Sequence, residues 1–385
     1  MKKLYIGIII ILSLFMSNHL IAQQVDWIRS CNGGGYDGGH DITIDQSGNN
    51  YSIGTAQAGG TYYPRWGNDT IGGGTSINYE GFIVKHDLKG QQKWAISFGG
   101  SNQDYGSSIK MLSDSTFVAV GIYRSTNAKF DTITAPSPTS FANLFIAKYD
   151  TSGKIIWLRT AEVGNVSFSP WTNYYSPDVD VNSYGEIVVS GTYRTSAKFG
   201  TTTITSTSWQ GSFIAKYSSS GKFKWVTKID HASTNFSPKI ATDNYGNSYL
   251  TSRFYNSITI KTKSASSTGS SDIYLTKIDS AGNPKWLTKH GGTSIDEAYG
   301  IAVDKFNHVF ISGRFAFSSK IDTMNISTNS GTGNSYDGFV AMLDTSGSVQ
   351  WVEVLGGYAG TYANNDLVQG IAEDNRGNIG ISGSY

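Results

Sequence analysis

The sequence predicts an all-β fold: a β-propeller of four-stranded blades with about five complete repeats plus an incomplete sixth. Three observations lead to this prediction. A segment of the approximate form F-x-x-K-x-D-x-x-G-x-x-x-W occurs five times, and its Trp residues are 61 to 68 residues apart. The chain contains 45 Gly, 23 Tyr and 18 Phe, and only 15% of its residues are charged. This composition favours short strands joined by tight turns, and the regular spacing is typical of repeat architectures.

The first 22 residues have the pattern of a secretory signal peptide. Lys2 and Lys3 precede an apolar run at 4–16, and we expect cleavage after Ala22. The remainder, 23–385, is expected to form one propeller repeat domain without a membrane span. Its acidic and basic residues nearly balance, which gives no reason to expect nucleic acid or an anionic membrane as a partner.

Each repeat is predicted to contain two hairpins and therefore four strands. The first hairpin has alternating apolar residues, as at 42–54 and 301–313, and the second is the repeated segment that ends in Trp. A connection of roughly twenty residues, long for a simple loop, joins the two hairpins. The connections contain short β-like runs at 129–134, 198–205, 257–263 and 320–327.

Packing and turn geometry explain the conserved pattern of the repeated segment, which reads FIAKYDTSGKIIW at 145–157. The third residue of each copy is small, so that neighbouring sheets can approach closely. Met342 replaces Lys in the last copy, so we expect the lysine stems to pack on apolar surface while their amines reach solvent. In the D-x-x-G turns, Asp is expected to cap turn amides and Gly to adopt positive φ. A calcium loop would need further ligands and a distal Glu.

The last repeat contains only its first hairpin, at 371–383. Two strands without neighbours would leave an open sheet edge. We therefore expect the chain to be a C-terminally truncated fragment of a longer protein that has further C-terminal domains. A lone Trp strand near the start, around Trp27, is a candidate for the outer strand of a closing blade.

The repeats resemble the SBBP-type β-propeller repeat of exported bacterial proteins. The fifth repeat matches best, through 300–304, 312–313, Asp337, Gly338, Phe339, Ala341, Asp344, Gly347 and Trp351. This resemblance implies a multi-bladed module of a secreted or surface protein. It implies no shared catalytic residues.

A second resemblance is to the repeats of pyrroloquinoline-quinone propellers, which have an A-x-D-x-x-T-G-x-x-x-W run. Those enzymes use a quinone site with calcium and often a vicinal disulfide. Cys31 is the only cysteine, so that disulfide is excluded. The chain also contains no metalloprotease, nucleophile-elbow, P-loop or dinucleotide motif in a suitable context. We expect neither a cofactor nor a metal.

Two kinds of residue are candidates for ligand binding. Acidic residues recur in the glycine-rich loops, where they could form a polar rim or simply bond loop amides within their own blade: Asp37, Asp104, Asp296 and Asp366. Aromatic residues cluster in two non-repeating segments, where they could bind a sugar or a protein or be buried: Tyr62, Tyr63, Trp66, Trp171 and Tyr174.

These observations favour an exported, non-enzymatic binding, scaffold or adhesion module for glycan or protein ligands, located in the periplasm, at the cell surface or outside the cell. The alternative is a propeller enzyme, either a quinone-dependent oxidoreductase or a polysaccharide-cleaving protein. Convergent carboxylates in a rim pocket would favour the enzyme.

Overall fold

The regular secondary structure consists entirely of β-strands in the part of the chain that the computed structural model describes. That part comprises residues 37–57, 65–66, 69–70, 78–166, 176–232, 236–328, 335–357, 365–374 and 376–384. Within these ranges there is no helix that could cross a membrane. The predicted signal peptide, Trp27 and four aromatic candidates lie outside the described residues: Tyr62, Tyr63, Trp171 and Tyr174. For Trp66, the structure describes the backbone only.

The strands fall into six consecutive units. Unit 1 contains β1 (Asp37–Ile44), β2 (Asn50–Gln57), β3 (Arg65–Trp66), β4 (Asp69–Thr70), β5 (Tyr79–His86) and β6 (Gln92–Gly99). Unit 2 contains β7 (Asp104–Ser113), β8 (Thr116–Tyr123), β9 (Lys129–Phe130), β10 (Ile133–Thr134), β11 (Asn143–Asp150) and β12 (Ile155–Glu162). Unit 3 contains β13 (Asp178–Val181), β14 (Ile187–Phe199), β15 (Thr202–Tyr217) and β16 (Phe223–His231). Unit 4 contains β17 (Lys239–Thr242), β18 (Ser248–Phe254), β19 (Ser257–Ile260), β20 (Lys263–Ser266), β21 (Asp272–Ile278) and β22 (Pro284–His290). Unit 5 contains β23 (Asp296–Val303), β24 (Val309–Ala316), β25 (Ser318–Ile321), β26 (Met324–Ser327), β27 (Tyr336–Leu343) and β28 (Val349–Leu355). Unit 6 contains β29 (Leu367–Glu373) and β30 (Ile379–Ser384).

Units 1 to 5 are four-stranded antiparallel meanders, ordered β1-β2-β5-β6, β7-β8-β11-β12, β13-β14-β15-β16, β17-β18-β21-β22 and β23-β24-β27-β28. We call the four strands of each unit A to D in this order. The A strands of successive units contact one another in turn, and residues from five A strands line one central cavity. The predicted β-propeller of four-stranded units is therefore confirmed, with the A strands innermost.

In units 2, 3 and 4 the predicted β-like runs of the connections form hairpins that pair with the preceding unit, whereas β25 and β26 of unit 5 form a separate two-stranded sheet. β9 of unit 2 pairs with β6 of unit 1, where Phe130 lies opposite Phe98. In the same way β19 pairs with β16, with Thr259 opposite Asp230. Each of these hairpins therefore covers part of the D-strand edge of the preceding unit, which explains why the connections are longer than simple loops.

The aromatic residue that opens the repeated segment packs on a glycine of the B strand. Phe145 lies opposite Gly121, and a Cβ atom on Gly121 would lie 2.6 Å from the Phe145 ring and 2.0 Å from the carbonyl oxygen of Tyr105. The equivalent pairs are Gly54 with Phe82, Gly191 with Phe213 and Gly313 with Phe339, whereas in unit 4 Ser252 takes the place of the glycine opposite Tyr274. The ring fills the space that a side chain would take, so the two positions repeat together.

The recurring Lys and Trp residues of the repeated segment join one unit to the next. Lys85 Nζ and Trp94 Nε1 of unit 1 donate to the same carbonyl, that of Thr151 in the D-x-x-G turn of unit 2, at 3.1 and 3.2 Å. The Trp94 ring also packs against Gly153 of that turn. Lys216 and Trp225 bond the Ser280 carbonyl of the following unit in the same way.

The expectation that the lysine amines reach solvent is wrong at Lys216, whose side chain is 1% exposed. Its Nζ lies 3.0 Å from Glu186 Oε2 and donates to the Gly246 carbonyl at 3.2 Å. The amine can be buried because groups of the neighbouring unit satisfy it. Burial alone would raise the pKa of Glu186, but hydrogen bonds from Lys224, Asn182 and Lys216 outweigh it and lower the pKa to about 2.

The D-x-x-G segments form the predicted structural turns. Asp45 Oδ1 accepts hydrogen bonds from the amides of Ser47 and Asn49 at 3.0 and 2.9 Å, and Gly48 has a φ of 78°. The equivalent Asp residues accept the same pair of amide bonds at Asp87, Asp150, Asp243, Asp279, Asp344 and Asp374. The Asp carboxylates are therefore used by turn backbone.

Acid is expected to destabilise the fold through two buried histidines. Burial lowers the pKa of His231 to about 3 and that of His290 to about 4. In the unfolded chain both protonate near pH 6.5, so their contribution to stability is present above that pH and is lost as the pH falls toward the folded values. We expect the two histidines to lower the free energy of unfolding, measured by urea titration, by about 2–3 kcal/mol from pH 7 to pH 5.5, a fall that the raised pKa of Asp296 partly offsets. His290→Leu should remove about half of this pH dependence. Leu355 occupies the equivalent position of unit 5. A variant with the parental pH dependence would contradict the assignment.

Candidate functional site

A cavity of about 550 Å³ lies between the A strands. Its polar and charged lining includes His40, Asp41, Asp178, Lys239, Tyr299 and Gln369. A concave site with several convergent polar groups is the usual form of a ligand site in a protein of this kind.

The residues that line this cavity differ from one unit to the next. One A-strand position, fixed by its register with the B strand, holds Asp41, Ser108, Asp178, Lys239, Gly300 and Gly370 in units 1 to 6. Units 1 to 4 thus place carboxylates, a hydroxyl and an amine at this level, whereas units 5 and 6 have no side chain there. At this level, therefore, the cavity wall is polar on the side of units 1 to 4 and has no side chains on the side of units 5 and 6.

The cavity carboxylates also connect neighbouring A strands. Asp41 Oδ2 accepts hydrogen bonds from Ser108 Oγ at 2.7 Å and from the Ile109 amide at 2.8 Å. Asp178 Oδ2 accepts the Ile240 amide of the following unit at 3.0 Å. Burial and the nearby Asp178 carboxylate raise the pKa of Asp41 above its ordinary value. The charge of this wall is therefore sensitive to what binds beside it.

A charged network borders the cavity where units 4 and 5 meet. Glu297 is buried, and its carboxylate forms ion pairs with Arg253 of unit 4 and, at 2.7 Å, with Arg314 of its own unit. The Tyr299 hydroxyl donates to the same carboxylate. The Arg253 guanidinium lies 3.4 Å from the centre of the Phe236 ring, and Phe236 and Tyr299 both line the cavity.

The fold itself does not require charges at these positions. In unit 2, the residues equivalent to Glu297 and Arg314 are Tyr105 and Ile122, and both are buried. An apolar pair thus performs the structural task in one unit, and a charged pair replaces it at the cavity. The network is therefore a feature of this rim and not of the repeat.

The acidic candidates from the sequence are engaged by backbone amides. Asp104 Oδ2 accepts the Gly100 amide at 2.8 Å, and Asp296 Oδ2 accepts the Gly292 amide at 2.8 Å. Asp366 and Asp37 accept the amides of Gly357 and Gln57 at 3.1 and 3.2 Å. Burial raises the pKa of Asp296 to about 6. These bonds match the alternative interpretation of the acidic residues, in which each one bonds loop amides within its own blade. The side chains of Asp104, Asp296 and Asp366 are buried, and that of Asp37 is partly exposed.

Sequence reasoning missed the residues that line the cavity and also three exposed aromatics. Tyr184, Tyr245 and Phe306 occupy the third position of the A–B turns of units 3, 4 and 5. Aligning the turns would have found them, because the corresponding residue of unit 1 is Ser47. Among the described residues, no group of three or more His, Cys, Asp or Glu side chains is placed to hold a metal ion.

The chain is similar in sequence to a WD repeat-containing protein. No family model matches the chain. It is 25% identical over 360 residues to the "Uncharacterized WD repeat-containing protein L264" of Acanthamoeba polyphaga mimivirus, a match that covers 80% of this chain and 25% of the relative. The chain thus spans about a quarter of that relative's length. Among solved structures, Sqt1 from Chaetomium thermophilum matches with a TM-score of 0.37 at 8% identity, over 89% of this chain and 76% of that one.

Proposed function

We propose that this chain acts as an exported, non-enzymatic binding or scaffold propeller with SBBP-type repeats. Its ligand, a protein segment or a glycan, would bind at the central cavity and at the rim formed by Arg253, Glu297 and Arg314. Export is supported by the N-terminal pattern of residues 1–22. N-terminal sequencing of the secreted chain should give Gln23 as its first residue.

One observation carries the binding proposal. In a chain built from near-copies of one unit, residues that differ in charge from copy to copy are brought together around one cavity. Structural requirements repeat with the unit, whereas recognition of an asymmetric ligand requires different groups in different units. The substitution of an apolar pair, Tyr105 and Ile122, by Glu297 and Arg314 is the clearest case.

The cavity proposal is tested with substitutions that the fold already tolerates elsewhere. Ser108 is the unit 2 equivalent of Lys239, so Lys239→Ser should fold normally, and Gln369 is exposed, so Gln369→Ala should do so as well. A ligand is first selected from glycan arrays and from purified surface proteins of the source cell, using the secreted chain. We expect the double variant to bind this ligand at least tenfold more weakly, a loss of about 1.4 kcal/mol. The control is Lys320→Ser, which removes an exposed lysine from a connecting hairpin. Unchanged binding by the double variant, or turnover of a substrate by the purified chain, would contradict the proposal.

A further inference from the structure

Three exposed aromatic rings lie on consecutive units, in the turns that follow the A strands. The central cavity lies at the other end of these strands. Tyr184 and Tyr245 are 67% exposed and Phe306 is 61% exposed. Each occupies the same position of an A–B turn, in units 3, 4 and 5. We call these three residues the aromatic arc.

The turns that present the arc are held in place by their neighbours. Ser183 Oγ donates to the Asn244 carbonyl at 2.9 Å, and Asn244 Nδ2 donates to the Lys305 carbonyl at 2.9 Å. The Tyr184 ring packs against Gly246 of the next turn, 3.2 Å from the position of a Cβ atom there. The three turns are therefore held relative to one another before any ligand arrives, which lowers the entropic cost of binding.

Stability does not explain the arc. The Trp residues of the repeated segment also pack against turn glycines, but their rings are more buried. Trp157, for example, is 9% exposed. Rings with two thirds of their surface in water contribute little burial energy. The turn itself tolerates a small polar residue, because Ser47 occupies the position in unit 1.

The chemistry around the arc favours a sugar over a protein. The carboxylates of Asp243 and Asp304 are buried and accept turn amides, so none of the three turns presents an exposed carboxylate. Polar residues separate the rings, and the three turns contain no aliphatic residue. Their longest non-aromatic side chain is that of Lys305. The neighbouring C–D turns of the same units add exposed hydroxyls at Ser219, Ser220, Ser280, Thr345 and Ser346. A protein interface usually centres on a continuous apolar core, which this surface lacks.

We propose that the aromatic arc binds a linear, neutral glycan of β-linked, gluco-configured pyranoses. Such sugars have apolar C–H faces and hydroxyl-bearing edges. The C–H faces would stack on the rings of Tyr184, Tyr245 and Phe306, and the edges would hydrogen-bond the exposed hydroxyls of the neighbouring C–D turns. The inference extends the proposed binding function to a second surface, at the opposite end of the A strands from the cavity.

The test is native affinity electrophoresis of the full chain in gels containing hydroxyethylcellulose or mixed-linkage β-glucan. We expect these polymers to retard the parent chain. In the triple variant Tyr184→Ser, Tyr245→Ser and Phe306→Ser, the apparent Kd should rise at least tenfold while the melting temperature stays within a few degrees. The matched control is Phe141→Ser, which removes an equally exposed ring from the connection of unit 2 and should leave retardation unchanged.

Several results would overturn the inference: no retardation of the parent chain by either polymer, equal retardation of the triple variant, or binding only to acidic polysaccharides that salt abolishes. Loss of a protein ligand by the triple variant, without any glucan binding by the parent, would instead assign the arc to a protein interface. The cavity variant Lys239→Ser with Gln369→Ala should keep full glucan retardation. Failure of the cavity proposal and failure of the arc proposal are therefore distinguishable.

Discussion

Gly121→Val is expected to prevent the chain from folding. Gly121 lies in the B strand of unit 2, between the carbonyl of Tyr105 and the ring of Phe145. A Cβ atom would lie 2.0 Å from that carbonyl oxygen, and the oxygen belongs to strand backbone that cannot move without breaking the sheet. Overpacking of a core typically costs about 1–3 kcal/mol, and a clash with backbone on one side and a buried ring on the other should exceed this range.

Soluble yield and thermal unfolding by circular dichroism measure the effect. Gly121→Ala should already lower the free energy of unfolding by about 3 kcal/mol, and the valine variant should be insoluble or lack a cooperative transition. The control is Gly39→Ala in the A strand of unit 1, where no atom lies within 4 Å of the Cβ position. Its stability should stay within about 0.5 kcal/mol of the parent. A valine variant that unfolds at the parental temperature would refute the packing argument.

Local signals explain why so much of the fold could be predicted. The turn role of Asp45 and Gly48 follows from the chemistry of four adjacent residues, and the hairpin pattern follows from alternation within each strand. The β-like runs in the connections were also predicted as short strands. Their pairing with the preceding unit was not, because the partner strand lies in another repeat and leaves no local mark.

The same distinction applies to the sites. Lys216 is buried because its acceptors, the Gly246 and Ser280 carbonyls, come from the following unit, and a single repeat does not reveal them. Arg253 and Glu297 meet across a unit boundary, so neither one marks the network in the sequence. The acidic loop residues did carry a local signal, their recurrence, but recurrence indicates a structural role that every unit needs. Features specific to one copy are better indicators of function in a repeat protein.

Glu297→Ala is expected to destabilise the chain by about 3–5 kcal/mol, because it removes one partner of a buried ion pair and leaves charge without compensation. The side chain of Glu297 is 1% exposed, and its carboxylate contacts Arg253, Arg314 and the Tyr299 hydroxyl. The loss should be measurable as a lower urea midpoint at pH 7. Glu353→Ala, which removes an exposed glutamate from the same unit, should change stability by no more than about 0.5 kcal/mol.

A double variant separates the charge from the packing. Tyr105 and Ile122 form the equivalent pair in unit 2, so Glu297→Tyr together with Arg314→Ile installs an apolar pair that the fold already uses. We expect this double variant to recover part of the stability lost in Glu297→Tyr alone, since one of the two uncompensated guanidinium groups is removed. The recovery should be incomplete because Arg253 remains without its carboxylate. If Glu297→Ala were as stable as the parent, the ion pairs would not hold units 4 and 5 together, and the network would have to be explained by ligand binding alone.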